Sequence, residues 1–407
     1  MRWLDAYGTS LRNFVATVAN RYGAKAVDVV VLAVASRVLS MDEVGTLFLA
    51  GAAAGIVSRV TDLGLFPVLM RRVARAEATW RNVARLALAR LGLVVVATGV
   101  FGFVAHEAFP QHAWLTTGFF FGFGLQSVHE VGRAVLAGQE LFVGNAMIGV
   151  SAKVLGGVLA IAGLATGFGS AAWPVGLAVG QVGTCLAVFR LARRAMRQAE
   201  PVRTRVLVRE GLPYWLVNVA NVVSTRLATV LVAAWAGFAE TANIGIASRV
   251  TGGLLVLVSA LGHVAFPSIA RQPRSMVTGA QLRIVGALAF GLGVAVLIAA
   301  PWIVQLLTGQ RDPNAVIILR IMAPALTLAS LSRPLEIWLQ ARNEGAKLLW
   351  ATLVSSAVAV ASTVVLTRLY QTEGAAAARV LRSAFALLAV GLVTVMAVRA
   401  SRLRASD

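Results

Sequence analysis

Arg59 and Asp62 stand three residues apart inside an apolar run, and comparable charges recur along most of the chain. Arg21, Lys25 and Asp28 follow i, i+4, i+7 spacing, which puts them on one face of a helix. His129, Glu130 and Arg133 share another apolar stretch, and Arg333 and Glu336 a third. Arg226, Arg249, Arg320, Arg379 and Arg382 have no carboxylate within about a turn of their own helix. A cation at the centre of a membrane-spanning helix costs about 2.5–3.5 kcal/mol. Each therefore needs an ion-pair partner, a route to the headgroups or a wet cavity. Arg133, Arg333 and Glu336 read as ion pairs or as residues near the headgroups. Arg226 lies near the middle of its stretch, where snorkelling is difficult. For Arg249, Arg320 and Arg379, nearer the outer ends, snorkelling is an equal reading. Together these side chains suggest a cationic cavity suited to an anion. Planar guanidinium donors can bind two phosphate oxygens at once.

The elements that must carry these charges are apolar helices. Of 407 residues, 58% are hydrophobic and only 13% charged, too few charges for a soluble domain of this length. Runs of about 20 apolar residues are each long enough to cross a bilayer, and the short alternating segments of a β-barrel are missing. Breaks at charges, Pro and Gly give twelve spans: 14–38, 44–68, 86–105, 114–137, 145–166, 171–190, 212–236, 242–266, 283–307, 315–339, 347–369 and 374–398. The fold expected is an all-α polytopic membrane protein. The first run carries Arg21, Lys25 and Asp28, so it reads as a retained helix rather than a signal peptide.

Loops sort by charge. One set holds Arg71, Arg72, Arg81 and Arg85, then Arg193, Arg197, Arg203 and Arg209, then Arg274, Arg342 and Arg404. The alternate set is short and more acidic: Asp42 and Glu43, Glu107, Glu240, Arg311 with Asp312, and Arg368 with Glu373. The positive-inside rule then predicts that both termini and the central loop are cytoplasmic. The net charge of +20 is spread over these loops and spans, so no nucleic-acid partner is expected. The basic segment 190–211, "RLARRAMRQAEPVRTRVLVREG", reads as a helix lying on anionic headgroups. Domain boundaries follow: a six-helix bundle over 1–192, a linker over 193–211 and a second bundle over 212–407.

Two heptapeptides, "GIVSRVT" (55–61) and "GIASRVT" (245–251), match at a spacing of 190, but "SRV" also occurs at 36–38. A register of 200 pairs Gly45 with Gly245, Pro67 with Pro267 and Arg71 with Arg271, holding a whole helix in step. The longer register is the meaningful one. It predicts two pseudo-symmetric halves with a site between them. Other signals are minor. "GAAAG", "GFFFG" and "GLAVG" are small-residue packing faces. Pro324 and Pro334 would interrupt the tenth span. His106, Glu107 and His112 share an outer loop and read as loop residues rather than a metal site. Cys185 stands alone, and no GxxxxGK[ST] stretch occurs, so neither a disulfide nor ATP hydrolysis is expected.

"SRVLSMDEVGTLFLA" and "VTDLGLFPVLMRRVAR" resemble the start of the polysaccharide-type (Wzx-like) flippases of the multidrug/oligosaccharidyl-lipid/polysaccharide (MOP) exporter superfamily. The matching residues are Asp42, Glu43, Gly45 and Phe48, then Thr61 to Leu65; the second half offers "ETANIGIASRV" and "FPSIAR". Ile246 stands where the family usually has an aromatic residue. The resemblance implies a V-shaped, twelve-helix transporter of the bacterial inner membrane and no enzyme. Its cargo would be an undecaprenyl-diphosphate-linked oligosaccharide, a repeat unit of O-antigen, capsule or exopolysaccharide, moved by alternating access. Lys25, Arg59, Arg226, Arg249, Arg320 and Arg379 are then the expected substrate contacts. Asp28, Asp62 and Glu130 would orient them or carry a coupled proton. No cofactor is expected beyond H+ or Na+ coupling; membrane lipids, and a polysaccharide polymerase or glycosyltransferases, are the expected partners. Export of drugs or small molecules, by this superfamily or a major-facilitator protein, remains the alternative.

Overall fold

The computed structural model describes residues 22–74, 76–108, 113–139, 141–196, 204–271, 279–341 and 345–403. Arg21, His112, Arg197, Arg203, Arg274, Arg342 and Arg404 lie outside these residues, and for 256–271, 279–285, 337, 340–341, 345 and 400–403 only the backbone is described. The described residues are helical apart from short turns: α1 (22–38), α2 (Met41–Val60), α3 (Leu65–Ala74), α4 (Trp80–Ala108), α5 (Ala113–Gly138) and α6 (Phe142–Ala165). They continue as α7 (Ala172–Ala195), α8 (Thr204–Trp235), α9 (Phe238–Arg271), α10 (Gly279–Thr308), α11 (Pro313–Ala341) and α12 (Gly345–Leu403). Among the described residues, eight helical segments are long and apolar enough to cross a membrane.

Local chemistry sets the ends. Ser40 caps α2 in a reciprocal box, its hydroxyl accepting from the Glu43 backbone while the Glu43 carboxylate accepts from the Ser40 N–H. Asp42 and Glu43 then lie in the first turn of α2 and Arg59 in the last, complementing the helix dipole. The expected second span, 44–68, is not one helix. It breaks at 61–64, where Leu63 (φ 54°) and Gly64 (φ 62°) turn left-handed before α3 begins. Glycine adopts this conformation at little cost; a leucine there is uncommon. Gly64 is needed for space as well. A Cβ on it would lie 2.3 Å from the Gly211 carbonyl oxygen, so α8 meets the break backbone to backbone. Trp215 closes the joint by donating Nε1–H to the Val60 carbonyl at 2.9 Å, satisfying one of the carbonyls that the end of α2 leaves free.

α12 has 59 residues, about 88 Å if straight against a bilayer core of about 30 Å. It folds back at Tyr370 and Gln371, whose dihedral angles are not helical. Ala351 of the first arm thus shares a core cluster with Val390 and Ala397 of the second. The expected eleventh and twelfth spans are these two arms. Pro324 and Pro334 do not interrupt α11, which runs through both.

The chain divides into a unit ending at Val222 and a unit beginning at Val223, a boundary inside α8. The second bundle was expected from residue 212, after a linker over 193–211. Residues 204–211 are instead the first turns of α8. Leu207 is buried there with Leu65, Leu69 and Val73 of α3, which ties this end of α8 to the first unit.

The register of 200 is visible in the helices. α9 starts 197 residues after α2 and ends 197 after α3, while α10 starts 199 after α4 and ends 200 after it. α11 starts 200 after α5 and ends 203 after it. Neighbours correspond too: α5 packs on α2, α3, α4 and α7, and α11 packs on α9, α10 and α12. Two six-span halves follow, with α2 and α3 serving as a single span.

Candidate functional site

In the first unit the charges assemble around the break after α2. Asp62 is 2% exposed and uses both carboxylate oxygens. Oδ1 accepts from Arg90 Nη2 at 2.7 Å, and Oδ2 lies 3.7 Å from Arg59 Nη1. The same Arg59 nitrogen is 3.5 Å from Glu130 Oε2. Arg90, fully buried, also donates to the Asp62 backbone carbonyl and, at 2.5 Å, to that of Ser127. Thr61 and Ser127 join through their hydroxyls at 3.3 Å. Arg59, Asp62 and Glu130 were singled out in the sequence and do come together. Arg90 was not. An arginine inside the third apolar run, 86–105, was the available signal.

Asp28 and Lys153 form a second pair in this unit, at 2.7 Å between α1 and α6. The spacing put Arg21, Lys25 and Asp28 on one helical face; Arg21 lies outside the described residues, and Lys153 adds a partner for Asp28 from another helix. Lys25 is exposed one turn before Asp28. Arg133 donates Nε–H to Asn145 at 2.9 Å, a helix-to-helix bond from α5 to α6.

The second unit is different in kind. Arg379, on the second arm of α12, donates to the Ser248 hydroxyl of α9 and, at 3.5 Å, to the Thr225 carbonyl of α8. Arg226 follows Thr225 directly and Arg249 follows Ser248, so one guanidinium ties together the two backbone positions that carry two further arginines. Arg226 and Arg382 lie close enough for their positive charges to act on Arg379. Of the six expected cationic contacts, Arg226 and Arg379 are thus grouped, and Arg249 follows the Ser248 that Arg379 bonds. Arg320 is not with them: it is exposed on α11 and donates to the Leu297 carbonyl of α10 at 3.3 Å. Arg333 pairs with Glu336 at 2.8 Å, as their spacing suggested.

Outside the expected spans, Glu210 at the start of α8 bonds Arg72 and, at 2.9 Å, Arg71. The hydrogen bond from Arg72 is the main influence holding the Glu210 carboxyl below its ordinary range, with Arg71 adding to it. Among the described residues no group of His, Cys, Asp and Glu is arranged to hold a metal ion.

The sequence profile of the family described as "Polysaccharide biosynthesis protein" matches residues 10–272. No curated protein sequence matches the chain. Among solved structures, the chain is similar to the lipid II flippase MurJ in an inward closed conformation, with a TM-score of 0.74 and 13% identity over 93% of this chain and 86% of that one. It is similar to an inward-facing multidrug resistance MATE family transporter of the MOP superfamily, with a TM-score of 0.70 and 17% identity over 94% and 95%. A third similar structure is a MOP superfamily transporter from Pyrococcus furiosus, described as having a binding pocket of reverse polarity that suggests a different function; its TM-score is 0.65, with 16% identity over 98% and 96%. At these identities the likeness establishes the fold, that of a MOP superfamily transporter.

Proposed function

The chain belongs to the polysaccharide biosynthesis protein family, and from that membership we propose that it is a flippase for an undecaprenyl-diphosphate-linked oligosaccharide. It works in a bacterial inner membrane with both termini in the cytoplasm, as its basic loops require. The cargo, a polysaccharide repeat unit, turns from the cytoplasmic to the periplasmic leaflet by alternating access, with H+ or Na+ coupling. A polymerase and glycosyltransferases are its partners in the same process.

The observation that carries this reading is the setting of Arg379. Among the described residues its hydrogen-bond partners are a hydroxyl and a carbonyl, neither of which offsets its charge, and its charged neighbours Arg226 and Arg382 are positive. A guanidinium so placed within a membrane span is stabilised by an anion, and a diphosphate matches its planar donors. Arg226 and Arg249 flank the same point and complete the anion contact. Each expected carboxylate in the first unit has a cationic partner at hand: Asp28 has Lys153, Asp62 has Arg90, and Glu130 has Arg59.

Drug export is the second reading, favoured by the likeness to the multidrug transporter. It calls for carboxylates available to an organic cation, and the pairings above oppose it. The test is leaflet exchange of a labelled polyprenyl-diphosphate saccharide in reconstituted vesicles. The wild-type protein is expected to catalyse exchange, and Arg379→Gln at equal protein level to slow it by about tenfold, the worth of a hydrogen bond to a charged group. Full exchange by Arg379→Gln would remove that arginine from the site.

A further inference from the structure

The joint after α2 contains two arginines and two carboxylates, and the two arginines are held very differently. Arg90 is fully buried and makes three hydrogen bonds that fasten α4 to the joint and to α5: two to Asp62, through Oδ1 and the main-chain carbonyl, and one to the Ser127 carbonyl. Arg59 has 36% of its side chain uncovered, and its two carboxylate contacts are 3.5 and 3.7 Å, both from the single nitrogen Nη1. Those are ion-pair separations at or beyond the limit for a good hydrogen bond. The carboxylate of Asp62 can satisfy only one guanidinium in close geometry from its present position, and Arg90 has it. Arg59 is left with charge compensation but without a tight partner.

We propose that Arg90 is a positioning residue: by fixing Asp62 it keeps the Arg59 guanidinium loosely held and ready to bind a phosphate group. Its effect is indirect, since Arg90 has no exposed surface with which to meet a ligand. Without it, Asp62 is free to rotate onto Arg59 and close a short pair, withdrawing the donor that a phosphate needs. The identity of the anion rests on the flippase reading. The arrangement of the two arginines does not.

Phenylglyoxal labelling of guanidinium groups, read residue by residue by mass spectrometry on the full chain in vesicles, separates these statements. The wild-type protein is expected to label at Arg59 and not at Arg90. Arg90→Gln should slow Arg59 labelling by about tenfold, the scale of one charged hydrogen bond gained. Combining Arg90→Gln with Asp62→Asn should restore it, because the carboxylate that captures Arg59 is then missing. A purely structural role predicts the opposite order, since the double variant loses more of the buried network than the single one. Unchanged labelling in Arg90→Gln, or no recovery in the double variant, overturns the proposal.

If Arg90→Gln does not fold, Asp62→Asn alone decides. With Arg90 still holding residue 62, Arg59 labelling should rise by no more than about twofold; a rise near tenfold means Asp62 was already gripping Arg59 and overturns the proposal. Inorganic pyrophosphate provides the remaining arm. Protection of Arg59 in the wild type supports a phosphate ligand at this position. Failure to protect, with the order of variants intact, removes phosphate from the joint and leaves the positioning role standing.

Discussion

Asp62 and Gly64 show how much a single position in this chain depends on what lies across from it. Asp62 reads in the sequence as a partner for Arg59, three residues earlier, but its short contact is to Arg90 on α4. Local spacing reveals same-helix pairs such as Arg333 with Glu336. It is blind to partners such as Lys153, 125 residues from Asp28. Gly64 carries two burdens, a left-handed backbone and a close approach to Gly211 and Trp215. Gly64→Ala is therefore expected to destabilise the first unit by about 1–3 kcal/mol, through strain and displacement of α8. A lower melting temperature in detergent would register it, and an unchanged one would mean the joint can open without cost. Arg226→Gln tests the arginine group separately from Arg379. Transport at normal protein level should drop, with little loss of melting temperature, because a cation removed from a membrane span relieves an insertion cost.

Helices respond to these contacts as units. The spans were legible because each apolar run is long and bounded by charge. The α12 turn was legible too, since Arg368 and Glu373 bracket it. The break between α2 and α3 was not. The run 44–68 has no proline before Pro67, and the cause of the break lies partly on α8, in Gly211 and Trp215. The start of α8 was hidden for a related reason, as its basic composition resembles a surface linker although Leu207 is buried against α3. An ion pair reinforces that docking and makes it pH-dependent. The Glu210 carboxyl is held low in the folded state, so its contribution is complete above the ordinary carboxylate value near 4.3 and is lost as pH falls through the depressed folded value. The pair is partly exposed and screened, so the contribution is under about 1 kcal/mol. Melting temperatures of the wild type and Glu210→Gln should differ at neutral pH and converge below about pH 3. A constant gap across that range would show that the ion pair is not what Glu210 adds.

Across the whole molecule, the offset near 200 residues recurs from α2 through α11, so the two halves share an architecture while differing in charge. In the first unit Asp28, Asp62 and Glu130 meet arginine or lysine; in the second, Arg379 meets neutral groups and other arginines. Part of that difference was legible, since Arg226, Arg249, Arg320, Arg379 and Arg382 have no carboxylate within about a turn while Lys25 and Arg59 do; the partners across helices were not. Arg90 and Lys153, found against Asp62 and Asp28, complete it. On the proposed function, an anionic cargo is recognised by the arginines of the second half; the held-ready Arg59 is a separate proposal within the first half. The central claim of that function is tested most directly by comparing leaflet exchange of two lipids that carry the same saccharide, one through a diphosphate and one through an uncharged linkage, in vesicles containing the wild-type protein. The diphosphate lipid is expected to exchange, and the uncharged one to exchange little. Equal rates for the two, or movement of organic cations alone, would contradict that claim.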